Sequence, residues 1–235
     1  MRELGESKMA AAAVWAHAAP FAAWLALMMV PGLSLAWNYA LRTVVCLVLF
    51  VWLCPSYWYK HLQIRNLPLA FVVGVTVFAV WILPESEWAA RWPALQDFYF
   101  RWAILPLGKV PEPLAVFSYA PEICGWPLTL VRLAGSAFVI AAIEEFFWRG
   151  MTYRWLIGKE FTKVDLGTLR WPILLAVSVC FGLEHDRWLV GILAGLAYGL
   201  LLIRTRDIWA AVTAHVVTNL LLGFYVLVMG AYGFW

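Results

Sequence analysis

The chain has 235 residues, 64% of them hydrophobic and 13% charged, with a mean hydropathy of +0.80 and a formal net charge of +3. These values exclude a soluble globule and describe a polytopic membrane protein. Its apolar stretches are continuous, which excludes a transmembrane β-barrel with strands alternating over about ten residues, and basic residues scattered over short connections exclude a nucleic-acid-binding stripe.

Apolar runs near the roughly 20 residues that cross a bilayer predict seven spans: Met9 to Val30, Ala40 to Cys54, Pro68 to Pro84, Leu128 to Trp148, Trp171 to Leu183, Trp188 to Ile203 and Ile208 to Trp235. The first run exceeds the core of a cleaved signal and is read as a retained span. The expected fold is therefore an all-α transmembrane bundle, residues 1–235 forming one integral domain and 128–235 the core that carries the polar motifs. Most loop lysines and arginines, among them Lys8, Lys60, Arg65, Arg149 and Lys163, fall on one side. Arg91, Arg101, Lys109 and Arg187 fall on the other, which predicts a cytoplasmic N-terminus. The connection from Glu85 to Pro127, rich in tryptophan and proline, reads as a segment packed at the membrane interface. Cys46, Cys54, Cys124 and Cys180 show no CxxC spacing and read as buried structural thiols.

Polar chemistry concentrates in the later spans. Ala137 to Arg149 is an apolar run that carries Glu144, Glu145 and Arg149, and a carboxylate at membrane depth costs several kcal/mol. Four residues apart on a helix, Glu145 and Arg149 share a face and can pair, which lowers the cost of burying both. Glu144 points about 100° away and is left as a base, its pKa expected to rise on desolvation. His215 and Asn219 repeat the four-residue interval, and an imidazole with a carboxamide on one face can donate hydrogen bonds to a developing oxyanion. Phe181 and His185 repeat it again. Gly191, Gly195 and Gly199 form small steps expected to serve internal helix packing.

Glu144-Glu145-Phe-Phe-Trp-Arg149, Phe181-Gly-Leu-Glu-His185 and His215-Val-Val-Thr-Asn219 stand in the order of EExxxR, FxxxH and HxxxN motifs. In this the chain resembles the CPBP intramembrane protease family, which includes the CAAX prenyl endopeptidases and bacterial Abi-type relatives. The resemblance implies a glutamate-dependent intramembrane endopeptidase. Glu144 with His185 would activate a water, His215 and Asn219 would stabilise the oxyanion, and Glu145 with Arg149 would orient the site. No cofactor is required by that scheme; if a divalent metal such as zinc is used, Glu144, His185 and His215 are its ligands. Expected partners are the bilayer and a membrane-associated or peptide-tail substrate, with no nucleic acid, and the expected location is a bacterial inner membrane. The alternative reading is a non-catalytic scaffold or bacteriocin-immunity protein of the same fold.

Taken literally, this topology puts Glu144 and His185 far apart. The conflict is relieved if the fourth helix continues to Ile157 and stops at Gly158, raising Glu144 about 21 Å above its end. Relief also comes if the two following spans, about 20 to 24 Å long against a core of about 30 Å, leave Glu184-His-Asp-Arg187 sunk in the bundle. A shared polar pocket holding Glu144, His185, His215 and Asn219 is the resulting expectation. Glu184 and Asp186 are expected to be mainly surface charges.

Overall fold

A computed structural model describes residues 2–104 and 117–235, with the side chains of residues 2–7 and 117 left aside. Among the described residues the regular structure is helical and there is no strand; the main helices are α1 (Arg2–Leu27), α2 (Leu35–Leu53), α3 (Leu67–Ile82), α4 (Pro93–Trp102), α5 (Trp126–Ile157), α6 (Trp171–Leu183), α7 (Trp188–Thr205) and α8 (Ile208–Met229). Among them, six helices are long and apolar enough to cross a membrane. The expected fifth span, α6, has only 13 residues, about 20 Å; α7 reaches 18 residues and is not short as expected.

Local chemistry sets the boundaries. The Ser34 hydroxyl accepts from the Trp37 amide at the start of α2, so that helix begins before the predicted Ala40. Asn38 then donates to the Leu27 carbonyl at 2.9 Å, tying α2 to the last turn of α1. Asp207 caps α8 through the Trp209 amide and also accepts from the Gln63 amide and the Asn66 side chain. The connection before α3 is thereby pinned beside the start of α8. α8 ends at Met229, short of the predicted Trp235, because Gly230 turns left-handed (φ 65°) and the tail folds back in a short turn at Tyr232–Phe234.

α5 runs to Ile157 and stops at Gly158 as expected, with Gly158 in extended backbone (φ −158°). The helix is not uniform. Two π-helical segments, Gly135–Ile140 and Phe146–Thr152, widen it on either side of Glu144 and Glu145, and such turns recur at functional sites.

Helices around α5 approach closely where side chains are absent. A Cβ on Gly74 would lie 2.5 Å from the Ala214 carbonyl oxygen, so α3 and α8 meet backbone to backbone. Gly191 abuts Gly182, Gly195 abuts Ser178 and Gly199 abuts Leu174, placing the expected glycine face of α7 against α6. Outward-facing Trp15, Trp52, Phe71, Phe224 and Val228 are exposed, which suits a lipid-facing surface. α4 lies in the predicted interfacial connection, with Tyr99 buried and Leu95, Phe98 and Trp102 exposed. Lys109 and the middle of that connection are outside the described residues. Of the cysteines, Cys46 is buried but Cys54 and Cys180 are exposed, which corrects the expectation for those two.

Candidate active site

The helix spacing builds the site in three pieces. On α5, Glu145 and Arg149 make the expected pair, Oε1 to Nη1 at 3.1 Å, with both side chains buried. Arg149 also donates to the Gly195 carbonyl at 3.2 Å and covers the Phe181 ring at 4.1 Å, so its charge is held by an anion, a carbonyl dipole and a π face. Arg149 therefore belongs to the bundle interior, which corrects its assignment to a cytoplasmic connection.

α8 supplies the second piece. His215 stacks on Tyr198 with centroids 4.8 Å apart and planes at 22°, and Tyr198 in turn donates to Thr218 at 2.8 Å. His215 Nδ1 is 3.0 Å from Glu145 Oε1, while Nε2 lies 3.8 Å from Glu144 Oε2. The carboxylate can only accept from Nδ1–H, so Glu145 fixes the ring and turns Nε2 toward Glu144. Asn219 donates to the Ser136 carbonyl within the first widened turn of α5, at 2.8 Å, and retains a second amide hydrogen.

The third piece is the connection between α6 and α7. His185 Nδ1 donates to the Phe181 carbonyl at 2.9 Å, one turn back, which leaves Nε2 as the free face of the imidazole. Trp81 packs edge-on against the ring at 5.4 Å. The connection lies outside the spanning helices, and burial there pulls the His185 pKa down to about 4, so the neutral ring prevails near pH 7. Arg187 donates to Glu85 Oε2 at 2.8 Å and to the Gly233 carbonyl at 2.9 Å. Far from being an outer-loop charge, Arg187 is buried and clamps this connection to the end of α3 and to the C-terminal turn.

These pieces converge on a cavity of about 400 Å³, lined by Glu144, His185, His215 and Asn219 among others. The connection does reach the level of the acidic motif, because Trp148 of α5 donates to Glu184 at 2.9 Å. Glu184 and Asp186 are exposed and also line the cavity. Glu145 and Arg149 do not line the cavity; Arg149 holds Glu145, which holds His215. Among the described residues, no three His, Cys, Asp or Glu side chains are grouped to hold a metal ion as they stand.

Spacing alone gave no sign of several participants. Tyr198 and Ser136 lie outside the quoted motifs, Thr218 lies between His215 and Asn219 and acts through its hydroxyl, and the Glu85–Arg187 clamp joins residues far apart in the chain.

A membrane-embedded helical bundle with an internal polar cavity is the class this architecture defines. Over residues 126–221 the chain matches the family model described as Type II CAAX prenyl endopeptidase Rce1-like. The match spans all three motifs and begins with α5, and the family is one of proteases. No curated protein and no solved structure matches the chain.

Proposed function

We propose that the protein is an intramembrane endopeptidase in which Glu144 is the general base. The observation that carries this reading is the convergence of Glu144, His185, His215 and Asn219 on one internal cavity, where Glu144, unlike Glu145, has no arginine partner among the described residues. A water between Glu144 and the free Nε2 of His185 gives its proton to the Glu144 carboxylate as its oxygen attacks the scissile carbonyl carbon. The carbonyl oxygen becomes an oxyanion. His215 enters the step as an imidazolium; its Nε2–H and the second Asn219 amide hydrogen donate to the oxyanion, and Glu145 balances the imidazolium through Nδ1–H before and after the step. As the carbon–nitrogen bond breaks, Glu144 returns the proton to the leaving amine, and the carboxylate is regenerated.

The neighbouring carboxylates thus divide the work. Glu145 orients and balances charge, and Glu144 moves the proton. Reconstituted protein should cleave members of a library of membrane-anchored peptide tails, read by mass spectrometry, and Glu144→Ala should abolish that cleavage. Cleavage at the wild-type rate by Glu144→Ala would overturn the assignment. A chelator is expected to leave the rate unchanged.

A further inference from the structure

A second region of the molecule bears on the site from outside the cavity. α4 has ten residues, about 15 Å, and cannot cross a hydrocarbon core of about 30 Å. The Gln96 side chain donates to the Pro84 carbonyl at 3.0 Å, where the span containing α3 ends. At its other end α4 meets the first residues of α7, so it is held at the level where two spans emerge. At about 100° per residue, Leu95, Phe98 and Trp102 fall within a strip about 60° wide, and they are 65, 58 and 59% exposed. Tyr99 is buried against the bundle, and exposed Asp97 and Arg101 fall on the face opposite it. An apolar strip between a bundle-facing side and a charged side fits the headgroup boundary of a bilayer. Trp88 and Trp92, exposed just before the helix, add aromatic rings favoured at that depth.

α4 is also joined to the connection that carries His185. The last carbonyls of one helix and the first amides of another lack partners within their own helices. Here the two ends meet: the Leu189 amide donates to the Ala103 carbonyl at 3.4 Å, and the neighbouring Trp188 indole donates to the Trp102 carbonyl at 2.9 Å. Alongside these bonds Tyr99, Ala103 and Ile104 pack on Val190 of α7, together with Trp81 of α3. Trp81 is the ring that lies edge-on against His185. A shift of α4 therefore moves the carbonyls that hold the start of α7, just beyond the imidazole, and also the ring beside it.

We propose that α4 is an interfacial strut: the strip of Leu95, Phe98 and Trp102 seats in the headgroup boundary of the bilayer, and the Trp102 and Ala103 carbonyls thereby set the position of the connection that carries His185. This rests on the reading of His185 as the partner of Glu144 in the reaction. Phe98 is then a positioning residue, acting on the imidazole through two helix ends without touching substrate. A protein partner would reach the strip only by displacing the lipid around the ends of α3 and α7.

The test uses full-length protein in phospholipid nanodiscs. A spin label on Phe98→Cys, with Cys54, Cys124 and Cys180 replaced by serine, is expected to be relaxed by oxygen and shielded from a water-soluble nickel chelate. A label on Asp97→Cys should behave in the opposite way. Phe98→Ser is expected to lower kcat about tenfold with KM within about twofold of wild type, because displacing a group in the reaction costs rate more than binding. Amide exchange across residues 184–190 should quicken about tenfold at an unchanged thermal midpoint, and Phe98→Leu should restore both kcat and protection. Leu95→Ser, on the same strip, is the second variant and should act alike. A Phe98 label open to nickel overturns the proposal, and so does one shielded from both reagents, which would assign the strip to a protein partner. A rise in KM alone also overturns it, since the strip would then capture substrate. If wild type cleaves no peptide while the label and exchange results hold, the strut stands and the protease reading falls. Cleavage at the wild-type kcat by Phe98→Ser, with exchange unchanged, does the reverse.

Discussion

Glu145 and His215, 70 residues apart in sequence, meet at 3.0 Å through Oε1 and Nδ1, and the same oxygen takes the Arg149 guanidinium at 3.1 Å. One buried carboxylate oxygen thus fixes an arginine on its own helix and an imidazole on another. Removing the charge leaves Arg149 buried with only a carbonyl and an aromatic face, a change that costs about 3 to 5 kcal/mol when a buried pair is broken. Glu145→Gln is expected to lower the thermal midpoint of the purified protein and to abolish cleavage. Glu144→Gln should abolish cleavage with the midpoint unchanged or raised, since it removes a buried carboxylate that has no arginine partner. Equal midpoints for the two variants would refute the division between them.

Asn219 is assigned to the oxyanion through its second amide hydrogen. Asn219→Ala should lower kcat by about 100- to 1000-fold, the usual loss for one oxyanion donor, and leave KM within a few-fold of wild type. Steady-state kinetics on a cleaved peptide check this. A rise in KM at constant kcat would show that Asn219 holds substrate instead.

His185 lies two residues from a buried ion-pair clamp. Arg187 sits two residues beyond it and is fixed by Glu85. Glu85→Gln weakens that hold, so it is expected to reduce kcat about tenfold with KM retained. Glu85→Asp should recover part of the loss. Unchanged kcat in Glu85→Gln would show that the connection is held without the clamp.

The His185 pKa, lowered by burial to about 4, gives a signed pH dependence. The unfolded chain takes up that proton first, near pH 6.5. Stability contributed by the neutral ring is therefore fully present above about pH 6.5 and is lost as pH falls toward 4. Thermal midpoints measured across this window should fall more steeply for wild type than for His185→Gln. Parallel slopes would contradict the buried, neutral imidazole.

α6 and α7 touch through Gly182, where a Cβ would lie 2.6 Å from the Trp188 carbonyl oxygen and 2.7 Å from the Ile192 amide nitrogen. Backbone atoms on a packed helix cannot yield as a side chain can. Gly182→Ala should destabilise the protein by about 1 to 3 kcal/mol, seen as a lower midpoint, and should depress activity by displacing His185, which follows on the same turn.

The local half of this site was readable before any fold was known. Glu145 with Arg149, and His215 with Asn219, are pairs whose proximity depends only on helical pitch, and the limits of the apolar runs marked most helices. Contacts between helices were not readable in that way. Neither the Glu145–His215 bond nor the Glu85–Arg187 clamp leaves a spacing signature, because each depends on how separate helices are docked. The error over Arg149 has a related cause: a basic residue near the end of an apolar run looks like a loop anchor until α5 is known to continue to Ile157. Gly158 was read correctly as a stop, although the extended geometry by which it ends α5 is invisible in the residue type.

The widened turn at Gly135–Ile140 makes α5 a keyed shaft. Forcing ordinary pitch there with the residue count unchanged would rotate everything beyond it by about 100°, carrying Glu144 away from the cavity with each motif residue still intact. If Glu144 is the base as proposed, competence is therefore encoded partly in the pitch of one turn, and a chain with every polar side chain preserved but that turn tightened would be a bundle with its base facing the wrong helix.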